Sequence, residues 1–176
     1  MIEDGDLLIR PMRDEIDDYE PMARWLSDPR VLEFYDGRDQ ALTLNGTLNG
    51  VREKYSPRIL NAEGVTPCSL IYQGAPAGYL QFYPTEEGVF GIDQFIGEPE
   101  LWNRGVGTRA VSLMVHYLFQ VHGARKVTVD PHADNARAIR CYEKCGFRKA
   151  RLLPQHELHE GSYRDCWLLE ISYPGS

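Results

Sequence analysis

Apolar positions follow helical spacing in the first third of the chain and strand-like clusters thereafter, interrupted by two long helical patterns. Leu7-Leu8-Ile9-Arg10 reads as a first strand, and Pro11 closes it because proline cannot donate to a sheet ladder. Tyr19, Met22, Ala23 and Leu26 share one face of a helix over 19–26. Ser27-Asp28-Pro29 is N-cap chemistry with proline near the first turn, and it predicts a short helix over 31–34. Residues 37–50 carry little pattern. A helix over about 44–55 is expected there, then a loop over 61–67.

Strands follow over 68–72 and 78–83, joined as a hairpin by Gln73-Gly74-Ala75-Pro76, with a third over 90–96. Val106, Ala110, Met114, Tyr117, Leu118 and Val121 mark one face of a long helix over 106–121. A strand over 126–129 precedes a helix over 133–144 that Gly146 ends, and the last strands cover 147–152 and 165–171. A meander followed by β-α-β-α-β-β predicts an α/β (α+β) fold with a mixed sheet, not a doubly wound parallel one. The 176 residues suit one domain over 1–176 with a sizeable core.

Composition narrows the function classes. An apolar share of 43% and an aromatic share of 11% argue against disorder. A net charge of −7 disfavours a grip on nucleic-acid phosphates and favours a cationic small molecule. Met1-Ile2-Glu3-Asp4-Gly5-Asp6 is acidic where an export signal is basic, and no apolar run approaches the ~20 residues of a membrane span. A cytoplasmic protein is therefore expected, with Cys68, Cys141, Cys145 and Cys166 as free thiols and Cys141 and Cys145 as buried packing.

Two segments carry chemistry. Trp102-Asn103-Arg104-Gly105-Val106-Gly107-Thr108 follows a strand and opens the long helix. Its glycines let backbone N–H groups at a helix start approach an anion such as a pyrophosphate. A tight strand-to-helix turn also wants glycine, so the short GxG alone leaves both readings open. It is neither a Walker A loop nor a complete GxGxxG. The second segment, 134–147, sets Asn135, Ala138 and Tyr142 along one helix side and sends Arg137, Arg140 and Lys144 outward. An ordinary amphipathic helix explains that pattern equally well.

Taken together, the helix-opening Arg104-Gly105-Val106-Gly107, a strand, and Asn135-x-x-Ala138-x-x-x-Tyr142-x-x-x-Gly146-Phe147 resemble the GNAT superfamily of N-acetyltransferases. Trp102 departs from the Gln or Arg that many members carry, which leaves backbone binding groups intact. The segments Trp25-Leu26-Ser27-Asp28-Pro29-Arg30-Val31-Leu32-Glu33-Phe34-Tyr35, Gly91-Ile92-Asp93-Gln94-Phe95-Ile96-Gly97-Glu98-Pro99, Val129-Asp130-Pro131-His132, Arg137-Ala138-Ile139-Arg140-Cys141-Tyr142-Glu143-Lys144 and Pro154-Gln155-His156-Glu157-Leu158-His159-Glu160-Gly161 look like the aminoglycoside 6′-N-acetyltransferases. The resemblance implies splayed central strands and acetyl-CoA as co-substrate, without a metal. It implies that Arg104, Gly105, Val106, Gly107, Thr108 and Arg109 hold the pyrophosphate. Asn135 and Ala138 would touch the cofactor, with Lys144 or Arg140 near its ribose phosphate.

Individual residues keep competing readings. Asp93 in its apolar strand is either an outward polar residue or, as the resemblance implies, the acid that receives the attacking amine. Its normal pKa of about 3.9 is far below an amine's, so it relays through water or positions the amine. Tyr142 is a packing residue or the proton donor to the departing thiolate. Asp130 is a turn residue or a ligand group at a strand end. Glu33, Asp36, Glu157, Glu160 and Asp165 are surface carboxylates or cation contacts. His132, His156 and His159 do not complete a metal ligand set by spacing, so no metal is expected.

The expected reaction is direct transfer. Backbone N–H groups around Phe95 and Ile96 polarise the thioester, Asp93 assists the amine and Tyr142 protonates the thiolate. The expected partner is an aminoglycoside, with no nucleic acid or membrane, and the protein is a monomer or homodimer. The alternatives are acetylation of a protein N-terminus or small polyamine, and a CoA-binding module without catalysis.

Overall fold

The structure, a computed structural model, describes residues 1–42, 46–60 and 64–174. The strands are β1 (Ile2–Asp4), β2 (Leu7–Pro11), β3 (Thr66–Tyr72), β4 (Ala75–Glu86), β5 (Val89–Ile96), β6 (Lys126–Val129), β7 (Arg148–His159) and β8 (Ser162–Ser172). The helices are α1 (Ile16–Trp25), α2 (Pro29–Leu32), α3 (Leu48–Ile59), α4 (Val106–Val121) and α5 (Ala136–Lys144). One sheet holds all eight strands in the order β1-β2-β3-β4-β5-β6-β8-β7. Among the described residues only β5 and β6 run parallel. The mixed, mostly antiparallel architecture expected from the element order is the one observed.

Period-two alternation sorts the sheet's side chains onto two cores. Leu80 and Phe82 of β4 and Ile92 of β5 pack with Val106, Ala110, Met114 and Leu118 of α4 and with Ile139 and Tyr142 of α5. Tyr79 and Phe95, on the opposite face, pack with Tyr19, Met22 and Trp25 of α1 and Tyr55 of α3. Each fully buried large apolar side chain contributes about 1.5–3 kcal/mol.

The feature that positions the site is a divergence of strands. β5 pairs with β6 only through Val89, Phe90 and Gly91, while β4 accompanies β5 up to Ile96. From Ile92 onward the β6-facing edge of β5 has no strand paired to it among the described residues. Gly91 lies at the fork against Tyr83: a Cβ there would sit 2.5 Å from the end of the Tyr83 ring, which would have to move.

Several boundaries differ from expectation for local reasons. β1 escaped sequence reading because it is three residues long and mostly exposed. α3 begins at Leu48, capped by Thr47 Oγ1 on the Gly50 N–H, and runs to Ile59. The expected start at 44 and part of the expected loop lie outside the described residues. α5 starts at Ala136 rather than 133, because Asn135 Oδ1 takes the Ala138 N–H at 3.1 Å. β4 extends from 75 to 86, and the β7–β8 hairpin is far longer than predicted, since exposed polar residues along β7 give no alternation to read. Val121, read as core, is 64% exposed at the end of α4. Among the described residues no helix is long and apolar enough to cross a membrane.

Candidate active site

α4 opens in the fork beside β5. Gly105 is its N-cap at φ +81°, a left-handed conformation that glycine alone adopts without strain. No side chain caps the helix and its first turn carries no acidic residue. The first-turn N–H groups therefore face a cleft with the positive end of the helix dipole behind them. The cleft encloses about 1070 Å³ counted out to its mouth.

Of the residues read as cofactor-binding, Phe95, Ile96, Gly105, Val106, Gly107, Thr108, Asn135, Ala138 and Lys144 line this cleft, and so does Arg140. Arg104 is exposed and does not line it. Arg109 is turned away to Asp4 and Asp6, reaching Asp6 Oδ1 at 2.8 Å. Its N–H already bonds Gly105 O within the helix, so nothing of it is left for a ligand in the cleft. Nor do Phe95 and Ile96 act alike. The Gly97 N–H bonds Ala77 O on β4, whereas Ile96 O faces the cleft and accepts from Trp102 Nε1 at 2.8 Å. Alternation then places the N–H groups of Gln94 and Ile96 on the open edge and that of Phe95 toward β4.

Sequence reading left several lining residues unassigned, Trp102, Arg137, Gln94 and Cys141 among them. Trp102 and Arg137 meet across the mouth, with the guanidinium 4.1 Å from the indole ring centroid. Gln94 Nε2 donates to Gly107 O at 3.3 Å, while its buried Oε1 has no hydrogen-bond partner among the described residues. Cys141 and Cys145 are half-buried rather than core. A hydrogen bond from Cys145 holds the Cys141 thiol below the usual range, and Cys141 lines the cleft.

A second cavity of about 1010 Å³ opens on the other face of the sheet. Asp36, Asp93, Asp130 and Glu157 line it, as do Lys54, Arg58, Gln81, Tyr83 and His132. Asp93 Oδ2 accepts from Gln81 Nε2 at 2.7 Å, and the Tyr83 phenol also bonds it. Burial raises the Asp93 pKa against those two bonds, and Asp130 and Glu157 raise it further. Asp36 is paired with Lys54. Asp130 is bonded by His156 at 2.8 Å and Glu157 by His132 at 2.9 Å.

Three of the expected cation contacts are elsewhere. Glu33 is exposed and lines neither cavity. Glu160 sits in the β7–β8 turn and pairs with Arg38 at 2.6 Å. Asp165 fills the β7 bulge, accepting the Gln155 N–H at 2.8 Å. Glu157, read as a surface carboxylate or a cation contact, lies in the cavity wall beside the bulge between Leu153 and Glu157.

The two cavities join through the fork. Phe34, Tyr35, Gln94, Asn135, Ala138 and Tyr142 line both. Tyr142 is 6% exposed, and burial pushes its phenol well above the ordinary tyrosine pKa. It therefore stays protonated at neutral pH and is a donor, not a base.

The Acetyltransferase (GNAT) domain model matches residues 14–154. The aminoglycoside N(6′)-acetyltransferase type 1 of Klebsiella pneumoniae is 35% identical over 144 residues, covering 75% of this chain and 70% of that protein. A solved structure of AAC(6′)-Ib with ribostamycin and coenzyme A superposes with a TM-score of 0.79 at 29% identity, covering 96% of this chain and 94% of that one. The ribosomal-protein-S5-alanine acetyltransferase of Vibrio fischeri shares the fold, with a TM-score of 0.82 at 12% identity over 98% of this chain and 96% of that one. Family model, relative and architecture agree: the chain belongs to the GNAT acetyltransferase family.

Proposed function

We propose that this protein transfers the acetyl group of acetyl-CoA to the 6′-amine of aminoglycosides and so confers resistance to them. The carrying observation is that an open helix N-terminus and a carboxylate-lined cavity meet at one buried tyrosine, Tyr142. The α4 N–H groups receive the pyrophosphate, with Arg137 on Trp102 at the mouth. Gln94 Oε1, buried without a partner, accepts an amide N–H of the pantetheine arm. The Ile96 N–H polarises the thioester carbonyl.

The polycation enters the second cavity, where Asp93, Asp130 and Glu157 face its ammonium groups. Asp93 positions the attacking amine and takes its proton, directly or through water. A bound cation favours the ionised carboxylate, offsetting the burial that raises its pKa. The amine attacks the thioester carbon, the C–S bond breaks, and Tyr142 donates its proton to the leaving thiolate. The reaction runs in the cytoplasm, where acetyl-CoA is made.

The test is acetyl-CoA consumption with kanamycin, with its 6′-hydroxyl analogue and with a single-amine peptide. Turnover of kanamycin alone is expected. Equal rates on all three, or activity only on the peptide, would replace this substrate with a protein N-terminus.

A further inference from the structure

Three donor side chains converge at the end of β7, on the rim of the substrate cavity. His132 Nε2 lies 2.9 Å from Glu157 Oε2. The His132 and His159 rings meet edge to face at 82°, with centroids 4.5 Å apart. Ligand atoms of all three residues lie within 4.8 Å of one another. Both imidazoles are only 4% exposed, while the Glu157 side chain is 45% exposed.

The tautomer of His159 is decided by its partner. Nε2 lies 2.8 Å from the carbonyl oxygen of Glu33. A carbonyl only accepts, so Nε2 carries the hydrogen and Nδ1 keeps its lone pair. An imidazole oriented by one N–H on a backbone carbonyl, with its other nitrogen free, is the arrangement in which histidine holds metal ions.

We propose that His132, Glu157 and His159 bind a divalent transition ion of the Zn²⁺ type. Two imidazoles and one carboxylate with an open position suit such an ion. Bonds of about 2.0–2.2 Å set tetrahedral ligand atoms roughly 3.3 Å apart, so closing the set takes rotamer-scale movement. Glu157, on a bulged strand and partly exposed, supplies it. The ion takes the place of the His132–Glu157 hydrogen bond, and the imidazole hydrogen moves to Nδ1, so His132 stays neutral.

The ion takes no part in acetyl transfer. It turns a carboxylate wall positive where ammonium groups dock. If the cavity is the amine site proposed above, the ion competes with the cationic substrate and not with acetyl-CoA.

The experiment is calorimetry with Zn²⁺ on tag-free, chelator-treated protein. It compares the wild type with His159→Gln, Glu157→Gln and a Cys141→Ser/Cys145→Ser double variant. His159→Gln retains an N–H for Glu33 O. One site is expected, weakened in each of the first two variants by at least the ~10–100-fold that losing an outer-shell partner costs, and unchanged in the third. No binding by the wild type overturns the site, as does wild-type affinity in either His159→Gln or Glu157→Gln. Loss in the thiol variant alone moves the ion to the cofactor cleft and also overturns it. In parallel kinetics, Zn²⁺ is expected to raise the KM for kanamycin while leaving that for acetyl-CoA unchanged. Ion binding with the expected variant losses but no change in the kanamycin KM keeps the site and counts instead against the amine-site reading.

Discussion

Gln81 donates to Asp93 Oδ2 at 2.7 Å, and it has only one way to face. Its Oε1 accepts from Tyr79 at 2.6 Å and from Arg58 at 3.1 Å. Arginine offers no acceptor, so the NH₂ end must point to Asp93. That donation favours the ionised carboxylate against burial, Asp130 and Glu157, all of which raise its pKa. Gln81→Leu should therefore move the acid limb of the kcat/KM profile to higher pH. Asp93→Asn should lower turnover by about 10²–10⁴-fold with acetyl-CoA affinity kept. An inactive Asp93→Asn beside an unmoved acid limb in Gln81→Leu would leave Gln81 a packing residue. A near-normal kcat in Asp93→Asn would remove Asp93 from the chemistry.

Gly107 carries no side chain where the α4 N–H groups face the cleft. A Cβ there would lie 3.4 Å from Gln94 Nε2, 3.6 Å from Ile96 Cγ1 and 3.9 Å from Cys141 Sγ. A methyl fits at ordinary contact, but the branches of valine project into the space proposed for the pyrophosphate. Gly107→Val is expected to keep the fold and lose acetyl-CoA binding, read by calorimetry.

Tyr142→Phe removes one hydroxyl from a buried ring that packs against Phe147 with centroids 5.7 Å apart. The ring contact survives, so the melting temperature should change little. A fall in kcat of about 10²-fold is expected. The loss should shrink with acyl donors whose thiolate leaves without protonation. A uniform loss across donors would point to a packing role.

Asp18 links α1 to the sheet. Burial pushes its carboxyl up, but hydrogen bonds from Arg10 and Arg13 outweigh it and hold the pKa at about 2. A depressed folded-state pKa stabilises above the unfolded value near 3.9, and that stability is lost as pH falls toward 2. The contribution is about 2 kcal/mol. The Asp18→Asn variant should unfold more easily at pH 7, and the gap to the wild type should close between about pH 4 and pH 2.

Salt should act on substrate capture more than on chemistry. The acidic wall attracts a multiply charged substrate, and ions screen that attraction over about 8–10 Å. KM for kanamycin should rise with ionic strength while kcat moves less. A KM indifferent to salt would mean that shape, not charge, selects the substrate.

Much of the fold was legible where residues are half-buried. α4 was read to the residue, because its apolar stripe has to face the sheet. β6 was equally plain. The β7–β8 hairpin was cut short because exposed strands carry no alternating signal, and β1 because three residues hold too little pattern. In the site, Asp93, Tyr142 and the 105–108 turn were visible as motifs. Arg104 and Arg109 were assigned through the resemblance, and Glu33, Glu160 and Asp165 by residue type; the fold pairs Arg109, Glu160 and Asp165 with other partners and leaves Arg104 and Glu33 at the surface.

The sequence by itself determined the half-buried elements and the chemistry within one element: the glycines that open α4, the alternation that separates Asp93 from Ile92, the helical spacing of Asn135, Ala138 and Tyr142. Those depend on local backbone geometry and on period, which a linear pattern records. Only the tertiary structure decided which carboxylates share a cavity, that Gln81 holds Asp93, that Arg137 lies on Trp102, and that His132, Glu157 and His159 converge. Each of those joins residues from separate elements. Their distances follow from strand order, from the parting of β5 and β6, and from the β7 bulge, and a charged side chain looks the same in sequence whether it ends in water, in an ion pair or in a cavity.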